Sequence, residues 1–179
     1  GSMRLILFSG GVESTALMTM AKPGDIALIV EPTFSTDQPT FRRETAEKIC
    51  KRFGVKWAYA GFSVPDLQPH GNVHQMSYFI SACNVIVSRG TDVTEIWCGR
   101  NSAEPAENIK GYIERNMEAW KLMHPTIPFL HPLDHLSKRQ QWELIPEDVR
   151  PLVSSCIYHA MCGQCYKCRE WVCFSEISR

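Results

Sequence analysis

The sequence predicts an α/β fold: a five-stranded, mostly parallel, doubly wound sheet of Rossmann-like type, followed by a small cysteine-rich appendage. Three observations predict it. Short apolar runs bounded by glycine or proline alternate with longer stretches whose apolar residues recur at helical spacing. That alternation continues in one order, which is the pattern of a parallel sheet with helices on both faces. Gly10 and Gly11 directly follow the first apolar run, at the carboxyl end of a strand, where such sheets receive ligands.

Each element has its own signal. Residues 5–8 are apolar and end at glycine, so they read as a buried strand, and a helix is expected over 14–21, stopped by Lys22-Pro23-Gly24. Residues 26–30 form a second buried strand and 32–39 a loop between two prolines. Phe41, Thr45, Ile49 and Phe53 stripe a helix over 40–53 that Gly54 ends. Residues 56–60 are a third strand, and 64–72, with Pro65, Pro69 and Gly71, a loop. Met76, Phe79, Ile80, Cys83 and Val87 mark the next helix, and 94–98 the fourth strand. Ile109, Ile113, Met117 and Trp120 stripe a long helix, with a fifth strand over 127–130 and a last helix over 138–144.

At 179 residues the chain suits one well-buried domain and is short for two. We divide it into an α/β domain over 1–150 and a C-terminal segment over 151–179 packed on it. Gly1-Ser2 ahead of Met3 reads as an expression remnant. Hydrophobic residues at 44% and charged residues at 21% are the proportions of a soluble globular protein. Lys+Arg and Asp+Glu balance at 19 each, so no overall field draws the chain to nucleic acid or membrane, and no direct nucleic-acid binding is expected. No apolar run approaches the roughly 20 residues that span a bilayer. With no export signal visible, the expected location is the cytoplasm.

The segment FSGGVESTAL, residues 8–17, carries the first chemistry. A helix N-terminus presents unpaired N–H groups and a positive dipole end, which suits phosphate. Gly10 and Gly11 allow close approach of the backbone and positive φ, and Ser9, Ser14 and Thr15 add hydroxyls. The Gly-Lys-Ser/Thr of a Walker loop and the third glycine of a dinucleotide loop are both missing. The segment resembles the Ser-Gly-Gly-x-Asp-Ser pyrophosphate loop of the ATP pyrophosphatases, the N-type or adenine-nucleotide alpha-hydrolase family. That resemblance implies that Ser9, Gly10, Gly11, Ser14 and Thr15 bind the pyrophosphate of ATP. Glu13 stands where the family has aspartate, and the resemblance implies contact with the magnesium that accompanies ATP. Glutamate keeps the charge and adds a methylene, so Glu13→Asp is expected to leave activity equal or higher if the family chemistry holds.

Eight cysteines are many for a cytosolic chain, and metal binding or catalysis explains them better than disulfides there. Cys50, Cys83 and Cys98 lie scattered in apolar surroundings, whereas Cys156, Cys162, Cys165, Cys168 and Cys173 crowd the C-terminal segment. Cys162-x2-Cys165-x2-Cys168 with Cys156 offers four thiolates, a tetrahedral set for structural zinc at roughly 2.3 Å per bond. Soft ligands argue against magnesium or calcium there, and an iron–sulfur cluster is the alternative. His159 or Cys173 are the possible substitutes within the set.

Taken together, the two ends of the chain resemble the 7-cyano-7-deazaguanine synthases. CGQCYKCRE is similar to that family's Cys-Gly-x-Cys-x-x-Cys-x-x-Arg tail, and HPLDHLSKRQQWEL to its Pro-Leu…Lys…Leu segment through Pro132, Leu133, Lys138 and Leu144. PHGNVHQMSYFISAC stands where the family has Pro-Gly-Arg-Asn; Pro69, Gly71 and Asn72 align but the arginine does not. The family's Tyr-Pro-Asp-Cys-Arg substrate segment is absent, with GRNSAEPAENIKGY in its place, and the chain is shorter than usual members by some tens of residues.

The resemblance implies an ATP-dependent carbon–nitrogen ligase. It implies ATP, a deazapurine-type carboxylate and ammonia as substrates, magnesium with ATP, structural zinc, and a possible homodimer. Glu13, Lys138 and Arg100 are the expected catalytic residues: the first two by the resemblance, and Arg100, with Asn101, as candidates for substrate or phosphate contact because they follow the fourth strand at the sheet's ligand edge, while His70 and His74 flank the possible acceptor site. The rivals are a ligase or amidotransferase with a different acceptor, a non-catalytic nucleotide-binding homologue, and tRNA thiolation, for which Cys98 would have to carry sulfur.

Overall fold

The computed structural model describes residues 2–33, 41–63, 75–103 and 107–154. The elements run β1 (Met3–Leu7), α1 (Val12–Met18), β2 (Ile26–Thr33), α2 (Phe41–Phe53), β3 (Lys56–Ser63), α3 (Gln75–Ser88), β4 (Val93–Trp97), α4 (Glu107–Met123), β5 (Phe129–Leu130) and α5 (Lys138–Leu144), then a 3₁₀ turn (Arg150–Leu152). The five strands form one sheet in the order β3-β2-β1-β4-β5. Every pairing is parallel, with Leu5 opposite Ile26 and Ile96, and Ile96 opposite Phe129. The expected α/β class, strand number and order of elements are those observed.

Strand alternation divides the core into two layers. Ile6, Phe8, Ala27 and Ile29 face one side and pack with Val12, Ala16 and Leu17 of α1, Ile49 of α2 and Trp142 of α5. Leu5, Leu7, Leu28, Val30 and Ile96 face the other and pack with Met76, Ile80 and Cys83 of α3 and Ile113 and Trp120 of α4. Val149 and Val153, on either side of the 3₁₀ turn, belong to the first layer.

Several boundaries differ from those expected; α1 stops at Met18 rather than residue 21 and β3 runs on to Ser63 rather than 60. α1 begins at Val12 rather than residue 14, which brings Glu13 into its first turn. β2 runs on through Pro32 to Thr33, where a loop was expected. Its pairing with β1 ends at Leu28, so Pro32 lies where β2 has β3 alone as a neighbour, the edge-like setting that proline tolerates. β5 keeps only Phe129 and Leu130 of residues 127–130, because β4 offers it just two partners, Ile96 and Trp97. Among the described residues no helix is long and apolar enough to cross a membrane.

At the amino-terminal edge of the sheet, Arg4 and Asp25 form an ion pair at 2.6 Å, with Asp25 only 6% exposed. Arg4 also lies 4.0 Å from the centre of the Trp97 ring. Desolvation pushes the Asp25 carboxyl up, but the Arg4 guanidinium and the Lys22 N–H outweigh it and hold it below its ordinary value. This pair fastens the edge opposite the glycine loop.

Candidate functional site

The order of strands reverses between β1 and β4, and ligands of open α/β sheets enter at that switch point. Three segments meet there: the Gly10–Gly11 loop after β1, residues 98–103 after β4, and the stretch from His131 into α5.

Gly10 takes φ +81, a conformation that glycine holds at little cost. Gly11 is the N-cap of α1, and no side chain caps that helix. The loop is braced from within. The Ser9 N–H donates to Ser14 Oγ at 3.1 Å, and the Gly11 N–H to Ser9 Oγ at 3.3 Å. The Ser154 N–H donates to the Gly10 carbonyl at 2.9 Å, so the chain past the 3₁₀ turn returns to the loop. Thr15 is fully buried, with its hydroxyl unpartnered among the described residues. Of the hydroxyls expected to meet phosphate, those of Ser9 and Ser14 bond each other at 3.1 Å within the loop, and Thr15 is buried behind it.

Glu13 is where the separate segments join. Asn101 Nδ2 donates to Glu13 Oε1 at 2.8 Å, and Lys138 Nζ lies 3.8 Å from the same oxygen. Both ends of that ion pair are largely enclosed, with side-chain exposures of 14% for Lys138 and 19% for Glu13. The Ala103 N–H donates to Asn101 Oδ1 at 2.9 Å, which fixes the sense of the Asn101 amide and turns its N–H groups toward the carboxylate. Lys138 opens α5 behind a capping box in which Ser137 and Gln140 bond each other's backbone N–H, so its place is set by the helix start.

Two of the three expected catalytic residues, Glu13 and Lys138, are thus in contact, and the candidate Asn101 completes the cluster. The Arg100 backbone carbonyl is held by Gln141, and the positive charge of Arg100 adds to the burial that lowers the His131 value. Cys98 is 5% exposed and sits in the layer of α3 and α4. His70, His74 and the cysteines Cys156, Cys162, Cys165 and Cys168 lie outside the described residues.

Sequence reasoning missed three residues. A Cβ on Gly99 would lie 2.8 Å from Glu13 Cβ and 2.9 Å from Ser14 N, so only glycine lets the end of β4 reach the start of α1. Gln141 is fully buried and donates to carbonyls on two segments. His131, just past β5, sets Nδ1 at 3.2 Å from the Cys98 carbonyl, leaving Nε2 buried with no partner among the described residues. Burial holds this imidazole below its ordinary value, against the opposing pull of the Cys98 carbonyl. Gly99 follows a predicted strand end, a cue for close approach; nothing in the sequence marked Gln141 or His131.

No family model matches the chain, and no curated protein does. Among solved structures the match is one of fold: a parallel α/β sheet with helices on both faces. One such structure is the U34-tRNA thiolase NcsA from Methanococcus maripaludis with its [4Fe-4S] cluster, at TM-score 0.55 and 16% identity over 98% of this chain. Another is the NMN synthetase from Francisella tularensis, at TM-score 0.52 and 16% identity over 99% of this chain. This chain spans 63% of the thiolase and 74% of the synthetase. At such identity the likeness shows the shared fold.

Proposed function

We propose that the protein is an ATP-dependent adenylating enzyme that cleaves ATP to AMP and pyrophosphate, and that its acceptor is the carboxylate of a 7-deazapurine, 7-carboxy-7-deazaguanine. The observation that carries this reading is the convergence of Glu13, Asn101 and Lys138, from three segments, beside the Gly10–Gly11 loop at the sheet's switch point.

In this reading a substrate carboxylate oxygen attacks the α-phosphorus, and the bond to the β-phosphate oxygen breaks. The acyl-adenylate forms and pyrophosphate leaves into the loop. Ammonia adds to the acyl carbon, loses a proton, and AMP departs to give the amide. A second ATP adenylates the amide oxygen, with loss of pyrophosphate. Departure of AMP and the remaining N–H protons gives the nitrile. The work of the protein is to hold reactants in line and to meet developing negative charge with fixed donors. The loop backbone and Ser9 meet the pyrophosphate, with Ser14 holding the loop's shape behind it. Lys138 adds a positive charge at its margin, and Arg100 reaches from the β4 side.

Magnesium arriving with ATP would be held by Glu13 and the phosphates and would offset their charge. The donor set fits that use. Magnesium is commonly bound by one or two carboxylates plus phosphates, and Glu13 supplies one carboxylate in the first turn of the helix behind the loop. Zinc, if bound, would be held by Cys156, Cys162, Cys165 and Cys168, a set of soft donors that suits it.

The test incubates the purified chain with ATP, magnesium, 7-carboxy-7-deazaguanine and ammonia. AMP, pyrophosphate and a product that has gained the elements of one ammonia and lost those of one water at the amide stage, or two at the nitrile, are expected. ATP cleavage only with another acceptor would keep the adenylation and replace the deazapurine. ATP binding without turnover in any mixture would overturn the enzyme.

A further inference from the structure

Gln141 breaks a rule of its neighbourhood. It is fully buried on α5, next to buried Trp142, where an apolar side chain would pack without penalty. Its Oε1 has no partner among the described residues, an expense that protein cores generally avoid. Its Nε2 lies 2.8 Å from the Arg100 carbonyl, 3.0 Å from that of Leu133 and 3.3 Å from that of Leu136. Nε2 has two hydrogens, so three carbonyls share them. The reverse amide orientation would set Oε1 against three carbonyl oxygens, so chemistry fixes the one seen.

Those carbonyls belong to two segments. Arg100 directly precedes Asn101 in the loop after β4. Leu133 and Leu136 lie in the stretch that leads into α5 and Lys138. A second bond joins the same segments, from the Ser102 N–H to the Leu136 carbonyl at 2.9 Å.

We infer that Gln141 is a positioning residue: its amide clamps the β4–α4 loop to the approach to α5 and so sets Asn101 and Lys138 on the one carboxylate of Glu13. Its amide hydrogens go to backbone carbonyls of Arg100, Leu133 and Leu136. Its effect on turnover rests on the adenylation reading above; its effect on the loop does not.

The test uses Gln141→Met in the whole chain, since methionine has similar length and no donor. Amide hydrogen exchange at Ser102 and Ala103 should accelerate by about tenfold, while the sheet amides of Leu28 and Ile96 stay protected. Unchanged exchange at Ser102 and Ala103 overturns the clamp. Acceleration of equal size throughout the sheet shows a merely structural role and also overturns it.

Two further readouts separate positioning from packing. In ATP-dependent pyrophosphate release, Gln141→Met and Asn101→Ala should be non-additive, because the first acts through the second; additive losses contradict the inference. Gln141→Glu, which stays useful if the methionine variant does not fold, should regain loop protection as pH falls, since a protonated carboxyl donates to a carbonyl and an ionised one is repelled. A flat pH response contradicts the inference. If the wild type cleaves no ATP with any acceptor, the adenylation reading fails while the exchange data still decide the clamp.

Discussion

The side-chain amide of Asn101 donates to the Glu13 carboxylate across 2.8 Å and joins the loop after β4 to the first turn of α1. The longer reach of glutamate is used in that bond. This reverses the sequence expectation for Glu13→Asp. An aspartate pulled back by one methylene loses the Asn101 amide, a charge-assisted bond, so activity should fall by about tenfold, or ~1.4 kcal/mol. Glu13→Gln, which removes the charge opposite Lys138, should lose more. ATP-dependent pyrophosphate release checks both, and full activity in the aspartate variant would show that the bond is idle.

Gly99 and Gly10 predict two kinds of glycine cost. At Gly99 a Cβ meets Glu13 Cβ at 2.8 Å, Ser14 N at 2.9 Å and Glu13 C at 3.0 Å, mostly backbone that gives little. Gly99→Ala should destabilise by about 1–3 kcal/mol and displace the start of α1. At Gly10 a Cβ meets nothing within 4 Å, but φ is +81. Gly10→Ala should cost about 1–2 kcal/mol from torsion alone. Thermal unfolding reads each, at about 2–4 °C per kcal/mol. ATP affinity should fall in both.

The Arg4–Asp25 pair predicts an acid-sensitive contribution. Asp25 has its folded value depressed, so the stability it contributes is present above the ordinary carboxylate value of about 4 and is lost as pH falls through the folded value. Asp25→Asn should destabilise by about 1–3 kcal/mol at pH 7 and flatten the loss below pH 4. Urea unfolding at a series of pH values measures this. A variant as acid-sensitive as the wild type would assign the effect elsewhere.

The cysteine tail predicts a metal. Elemental analysis of the purified chain should give one zinc per chain, and Cys165→Ser should release it and lower stability. Iron with acid-labile sulfide would replace zinc by a cluster, and no metal of either kind would end the tetrathiolate reading.

The order of elements was legible because apolar period is a local property. Runs such as Ile26 to Val30 and the stripe Ile49–Phe53 of α2 announce themselves within a few residues, and a buried parallel sheet requires them. The glycine loop was legible for the same reason, since Gly10, Gly11 and the first turn of α1 are consecutive. Strand ends were less so. β2 passes through Pro32 because β1 has already stopped, and β5 shortens to two residues because β4 limits its pairing.

What the sequence by itself determined is the α/β class, the place of the loop and the candidacy of Glu13 and Lys138. Only the tertiary structure decided that these two meet, that Asn101 holds one of them, that Gly99 must lack a Cβ, and that the Ser9 and Ser14 hydroxyls bond each other. The physical reason is separation along the chain. Glu13 and Asn101 are 88 residues apart and Arg100 and Gln141 are 41 apart. Contacts of that span leave no periodic trace. They exist because β1 and β4 pair side by side and end at the same edge.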